Sequence, residues 1–339
     1  MSKYGIDMML WESGGVVDLK KALIFLMCSL SIVAATGCGP DLESLNIQAN
    51  ESVNIAWGGY MCEADGLVYY VSRNGEKGKI MSMKSDGSHS AAVTANEYDD
   101  IRELTAGGDS LYFAASSEAD DEDTIYRLPL SGGIERKIAE GHTFSLQYAN
   151  GKLYWEDYYQ PLGIITSDQT TSIQIKCVNP DGSDIKTLYA LKVPAGGGVA
   201  FEFLATQDGL YYAVESPGDD HSDIYRMDPD GKNTVKLNDS ELDTVDKLFY
   251  DDGQLYYLME HFDNGLFWDS FETLDDKGEA KTIMREVGYY PQDYGDIEYC
   301  GISGHRLYYF VLRSNIPNDG VFGLYILGDD IYFSPYAMP

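Results

Sequence analysis

The chain has 339 residues, with 55 acidic against 24 basic side chains and a formal net charge of −31. Such a surface repels phosphate backbones and anionic lipid heads, which excludes nucleic acid as a partner class. High charge also marks many disordered chains, but 44% of residues are hydrophobic and 27 are Tyr, enough to fill a sizeable core. Tyr enrichment with 35 Gly favours strands and tight turns over helices, so the expected class is all-β.

In chain order, the first element is a targeting segment. Lys20-Lys21 precede the apolar run "ALIFLMCSLSIVAA", which ends in small residues at Cys38. A basic start, a short apolar stretch and small residues before a cut are the parts of a secretory signal. The run holds 14 residues, short for a bilayer span of about 20. "Ala35-Thr36-Gly37-Cys38" resembles the lipobox of bacterial lipoproteins, with Ala35 where that family usually has Leu. The resemblance implies cleavage before Cys38, acylation of its thiol, and a place on the extracytoplasmic side of the cell membrane. Stable anchoring takes more than one acyl chain. Plain secretion and an uncut anchor are the alternatives. Residues 1–18 carry Asp7, Glu12 and Asp18, and an acidic leader start is anomalous. Gly14-Gly15 fit a translated ribosome-binding sequence, with initiation at Leu19 through a TTG codon. The expected division is therefore a signal peptide over 1–37, a lipidated tether over 38–53 and a folded domain over 54–339.

That domain repeats itself. A turn, an aliphatic residue, Tyr and a second aromatic recur as "DGLVYY", "GDSLYF", "NGKLYW", "DGLYY", "DGQLYY" and "GHRLYY". The second aromatics are Tyr70, Phe113, Trp155, Tyr212, Tyr257 and Tyr309, at gaps of 43, 42, 57, 45 and 52 residues. A period in the forties fits a four-stranded propeller blade. A second phrase follows each copy, as in "KIMSMKSDG", "TIYRLPLSGG", "IQIKCVNPDG" and "DIYRMDPDG". One strand-like piece precedes each aromatic phrase and one polar–apolar alternation closes most units. The reading is four strands per unit, A to D, in six antiparallel blades. A further hit, "DDIYF" at Asp329, leaves seven blades as the alternative; under six, residues 331–336 form the last strand. Runs such as "LVYYV" are apolar on both faces, as expected of a sheet held between two neighbours.

The phrases resemble the six-bladed propellers of the low-density-lipoprotein-receptor type. They resemble more closely a bacterial domain of unknown function named for likeness to the receptor-related protein. The receptor family's Tyr-Trp-Thr-Asp tetrad occurs once and altered, as Tyr154-Trp155-Glu156-Asp157. The resemblance implies a fold and an extracytoplasmic setting, and carries no active site.

The A–B and C–D turns are short and uniform, as in Asp65-Gly66 and Asp230-Gly231. The B–C connections are expected to be long and unlike one another, over 116–123, 156–171, 215–222, 260–268 and 313–320. Variable loops on a rigid scaffold are where binding is usually built. Their aromatic and acidic residues give the candidate ligand site: Tyr158, Tyr159, Asp219, Asp220, Phe262, Phe267 and Trp268. Aromatic faces offer stacking area and carboxylates offer polar or cationic contacts, which suits a carbohydrate, cationic or protein partner. The bland alternative is a solvated acidic rim.

No metalloprotease, P-loop, serine-hydrolase or Cys-x-x-Cys motif is present. His89, His142, His221, His261 and His305 fall on different units, so a zinc site is not expected. Asp120, Glu122 and Asp123 are a weak calcium candidate without the EF-hand order. No cofactor is expected. Cys62 and Cys300 fall at matching places in the first and last A strands, where a disulfide latch or two buried thiols are the options. Cys177 is expected in the core. The expected function is a lipid-anchored, monomeric binding module for a protein or carbohydrate. The alternative is a glycan-acting hydrolase or lyase with carboxylates at the mouth of the central channel, for which two or three acids of raised pKa should converge.

Overall fold

The computed structural model describes residues 59–337 apart from 75–76, 85–86, 117–121, 160–169, 195–199, 216–220, 240, 264–265, 286–294, 304–305, 314–319 and 327–335. The proposed signal segment, Cys38 and the tether lie outside the described residues. Among those residues there are strands and turns and no helix.

The strands form six four-stranded antiparallel sheets. The first holds β1 (Met61–Ala64), β2 (Leu67–Asn74), β3 (Lys77–Lys84) and β4 (Ala91–Ala92). The second holds β5 (Asp100–Gly107), β6 (Ser110–Ser116), β7 (Asp123–Pro129) and β8 (Arg136–Gly141). The third holds β9 (Thr143–Ala149), β10 (Lys152–Tyr159), β11 (Thr170–Val178) and β12 (Lys186–Pro194). The fourth holds β13 (Phe201–Ala205), β14 (Leu210–Glu215), β15 (Ser222–Met227) and β16 (Val235–Lys236). The fifth holds β17 (Thr244–Asp251), β18 (Gln254–Asp263), β19 (Leu266–Leu274) and β20 (Ala280–Arg285). The last holds β21 (Gly295–Ser303), β22 (Arg306–Arg313), β23 (Gly320–Ile326) and β24 (Tyr336–Ala337). Each sheet is a plain meander in chain order. The first strands of successive sheets touch one another, β1 to β5, β5 to β9, β9 to β13, β13 to β17 and β17 to β21, which makes them the innermost strands of a radial array.

The turn chemistry follows the residues. Asp65-Gly66, Asn150-Gly151 and Asp252-Gly253 all have positive φ at both positions, as a two-residue hairpin requires. In "DPDG", the Gly231 amide donates to Asp228 O at 2.8 Å and φ is +81°. Gly231 also seats on the preceding sheet: a Cβ there would lie 3.1 Å from Leu188 Cβ. Gly278, one sheet on, lies against Leu237 O. The repeated phrase is therefore both a hairpin turn and a joint between sheets.

The core sits in the seams. Tyr69, Ile80, Ile101, Leu104 and Phe113 fill the first, and Tyr112, Ile125, Leu153 and Trp155 the second. Tyr154, Ile175, Phe203 and Tyr212 fill the third, and Tyr211, Ile224, Leu248 and Tyr257 the fourth. The aromatic phrases of the second, third and fourth sheets thus contribute to seams on both sides, which is why their strands do not alternate.

Two boundaries differ from the sequence reading. Glu156, Asp157, Tyr158 and Tyr159 are strand rather than loop, because their ladder to β11 runs on to Tyr159↔Ser172. In the fifth sheet the B–C connection is only residues 264–265, with Phe262↔Phe267 and His261↔Trp268 paired, so the expected loop is an extended hairpin. The last strand was expected over 331–336: Tyr336–Ala337 pairs with Val321 and Phe322, and residues 331–335 lie outside the described residues.

Candidate functional site

The innermost strands carry charges where the pattern of a buried strand calls for apolar residues. Glu103 lies on β5, Glu202 on β13, and Asp246 and Lys247 on β17, with Glu156 beside them on β10. Bulges accompany several of them. β5 slips against β6 between Arg102 and Thr105, β17 slips against β18 between Val245 and Lys247, and β10 slips against β9 between Tyr154 and Glu156. A bulge adds a residue to one strand and re-aims its side chain. Glu103 sits in its bulge at φ +55°, a conformation uncommon for any residue but Gly.

Four of these groups form one electrostatic unit. Lys247 Nζ meets Glu202 Oε2 at 2.9 Å, and the Glu202 carboxylate holds the lysine firmly protonated. Burial pushes Glu202 up all the same. Glu103 is buried, and its Oε2 accepts the Leu146 N–H at 3.2 Å from the neighbouring sheet. Burial pushes Glu103 up to about 7, against the pull of that hydrogen bond, Arg102 and Lys247. Glu156 is partly exposed and, among the described residues, has no hydrogen-bond or ion-pair partner. Burial, then the charges of Glu202 and Glu103, push it up to about 8. One lysine thus faces three carboxyl groups, and two of these hold protons near neutral pH.

Aromatic and cationic groups flank the cluster. Phe144 pairs directly across the sheet from Glu156 and is 41% exposed. The Arg102 guanidinium lies over its ring at 5.4 Å, and Tyr158 meets the ring edge-on at 6.1 Å. Tyr60, 40% exposed, is raised by burial and by Asp100. Arg102 is fixed from behind by Asp123 at 2.7 Å and Asp100 at 2.8 Å. Carboxyl groups, a lysine, Arg102 and the Phe144 and Tyr158 rings thus lie together near the start of the innermost strands.

A second cluster has the outline of a catalytic triad. Asp243 Oδ2 lies 2.6 Å from His261 Nδ1, and His261 Nε2 lies 2.6 Å from Ser270 Oγ. Two observations remove Ser270 as a nucleophile. It is fully buried, and its single proton goes to Glu272 Oε1 at 2.8 Å. Glu272 also accepts from Thr282 Oγ1 at 3.0 Å and Tyr257 OH at 3.4 Å. This network is closed upon itself and ties β18, β19 and β20 to the strand that enters β17.

Of the sequence candidates, Tyr158 is placed at the channel cluster by its contact with Phe144. Tyr159, Phe262, Phe267 and Trp268 lie within strands, and their side chains are outside the described residues, as are Asp219, Asp220 and Asp120. Asp123 is buried at the start of β7, and its Oδ2 serves Arg102 and the Thr143 N–H at 3.0 Å, while Glu122 is exposed. Among the described residues no group of three or more His, Cys, Asp and Glu is arranged to hold a metal ion. Cys62 is a free thiol packed in the seam of the first two sheets, and burial pushes it up to about 12. Cys177 is buried in the third seam, and the Cys300 side chain is outside the described residues. In the altered tetrad, Trp155 is core, Asp157 pairs with Lys176 and Glu156 joins the channel cluster.

No family model matches the chain, and no curated protein does. Solved structures do. The β-propeller domain of the Trilobed protease from Pyrococcus furiosus is 14% identical at TM-score 0.56, over 84% of this chain and 85% of that one. This chain is a β-propeller. An acylaminoacyl peptidase matches at 14% identity and TM-score 0.55 over 83% of this chain. The match covers 46% of the peptidase, so the propeller chain spans less than half its length. Oligogalacturonate lyase from Vibrio parahaemolyticus matches at 9% identity and TM-score 0.51, over 82% and 77% of the two chains. At these identities the likeness shows the fold alone.

Proposed function

We propose that this propeller is an extracytoplasmic, lipid-anchored binding module, a six-bladed monomer of the receptor-like kind, that takes its ligand at the channel mouth. The ligand is a carbohydrate or protein partner that presents hydroxyl or cationic groups. The observation that carries the reading is Glu156, a carboxyl group without a partner beside the exposed Phe144 ring. A carboxyl group raised in this way and left without a partner can still take one from a ligand. Protonated carboxyls donate as well as accept hydrogen bonds, which suits sugar hydroxyls. The Phe144–Tyr158 corner supplies the ring area that sugars stack on.

A second reading has its own observation. A carboxyl that keeps its proton to about 7 or about 8 is a competent general acid, and Glu103 and Glu156 both do. With a carboxylate partner such a group could cleave a glycan. The two readings separate in one experiment with the mature chain on a glycan array and with oligosaccharides in solution. Binding without turnover, lost in Glu156→Gln and Tyr158→Ala, is expected. Turnover lost in Glu156→Gln would move the conclusion to the enzyme. Undiminished binding in both variants would sink the channel site.

A further inference from the structure

Gly59 and Tyr60 precede the first strand, a few residues downstream of the proposed tether. Tyr60 O accepts the Val71 N–H at 2.9 Å, which ties the segment to its own sheet. Gly59 reaches further. Its carbonyl accepts the Leu104 N–H at 2.5 Å, across the seam and inside the β5 bulge that holds Glu103. Gly59 has φ +54°, and a Cβ there would lie 2.8 Å from Glu103 Cα and 2.9 Å from Leu104 N. The contact is therefore backbone against backbone, open only to glycine on both steric and conformational grounds. On the other side, Glu103 Oε2 accepts the Leu146 N–H. Glu103 is held between a latch from the first sheet and a donor from the third.

We propose that Gly59 is a positioning residue for Glu103: it clamps the β5 bulge and so couples the incoming N-terminal segment to the channel site. A bulged ladder has lost its own strand-to-strand bond at Leu104, and the Gly59 carbonyl replaces it. Without the clamp the bulge can relax towards a regular strand, and a one-residue shift turns Glu103 to the other face. The groups that surround Glu103 are Arg102 on its own strand, Asp123 on β7, Glu156 on β10, Lys247 on β17 and Tyr60. Apart from Tyr60, which adjoins Gly59, all of them lie on strands of the second, third and fifth sheets, so the Glu103 midpoint reports the clamp. The inference rests on the channel mouth being the functional site, but its test needs no ligand.

The test is a carbon-13 carboxyl titration of the full chain, for the native protein, Gly59→Ala and Gly151→Ala. Gly151 has φ +71° and open space around its Cβ, so its variant carries similar backbone strain far from Glu103. The Glu103 midpoint should stay near 7 in Gly151→Ala and fall by about one unit or more in Gly59→Ala, as the carboxyl leaves its buried place. An unmoved midpoint in folded Gly59→Ala overturns the proposal. Should Gly59→Ala not fold, hydrogen exchange of the native Leu104 amide decides: protection equal to the β5 ladder supports the clamp, and exchange at the rate of a free amide overturns it. Loss of ligand binding in Glu103→Gln tests the site itself, so the two failures are distinguishable.

Discussion

Two polar clusters lie in neighbouring parts of this propeller, and they are built on opposite principles. Around His261 the polar groups are partnered: Asp243 on Nδ1, Ser270 on Nε2, Glu272 on Ser270, and Thr282 and Tyr257 on Glu272. At the channel mouth Glu202 and Lys247 pair, but Glu156 stays unpaired and Glu103 accepts one hydrogen bond. A satisfied buried network specifies structure, and an unsatisfied one is a place where something can still bind. The cluster with the look of a triad is the structural one, and the cluster without a motif is the candidate site.

Substitutions should separate the two. The largest stability loss is expected from Lys247→Met, about 3 kcal/mol by denaturant titration, because Glu202 is left without its counter-charge in a largely buried place. Glu202→Gln together with Lys247→Met should recover much of that loss; no recovery would mean that the pair is not what the lysine stabilises. Next comes His261→Ala, about 2 kcal/mol, with ligand binding at the channel unchanged. Altered binding in that variant would break the comparison.

The channel carboxyls give a pH signature. Their folded pKa values are raised above the unfolded ones, so the folded state binds more protons between the ordinary carboxylate range and about 8. Stability is then fullest below that range and falls as pH rises through it. Glu103→Gln and Glu156→Gln should each flatten the fall, and a slope that survives in the double variant would place its origin elsewhere. The smallest stability effect is expected from Tyr158→Ala, about 1 kcal/mol, since Tyr158 is only partly buried. Its effect on ligand binding should be the larger one.

Much of the fold was legible because the repeat is physical. The turn recurs as "NPDG" and "DPDG" since each copy turns a hairpin and seats its glycine on the preceding sheet, as Gly182 does on Ile138 and Gly231 on Leu188. The B–C boundaries at 116–123, 215–222 and 313–320 were legible, and those at 156–171 and 260–268 were not. "EDYY" looks like loop, yet Lys176 neutralises Asp157 and Phe144 packs on Tyr158, contacts that only the fold brings together. His261 and Ser270 are likewise joined by an extended hairpin that looked like a variable loop. The channel cluster did leave a signal. Glu103 in "DIRELTAG" and Glu202 in "AFEFLAT" stand at the same stage of the innermost strand, where burial on both faces should have disfavoured any charge. A charge repeated inside a strand that the repeat buries points to the channel, and the loops drew attention away from it.

The central claim is that the channel mouth holds carboxyl groups kept protonated near neutral pH and left open for a ligand. The most direct measurement is the carbon-13 titration of Glu103 and Glu156 in the native chain, assigned with Glu103→Gln and Glu156→Gln. Midpoints near 7 for Glu103 and near 8 for Glu156 are predicted. Both groups titrating in the ordinary range of an exposed glutamate would contradict the account.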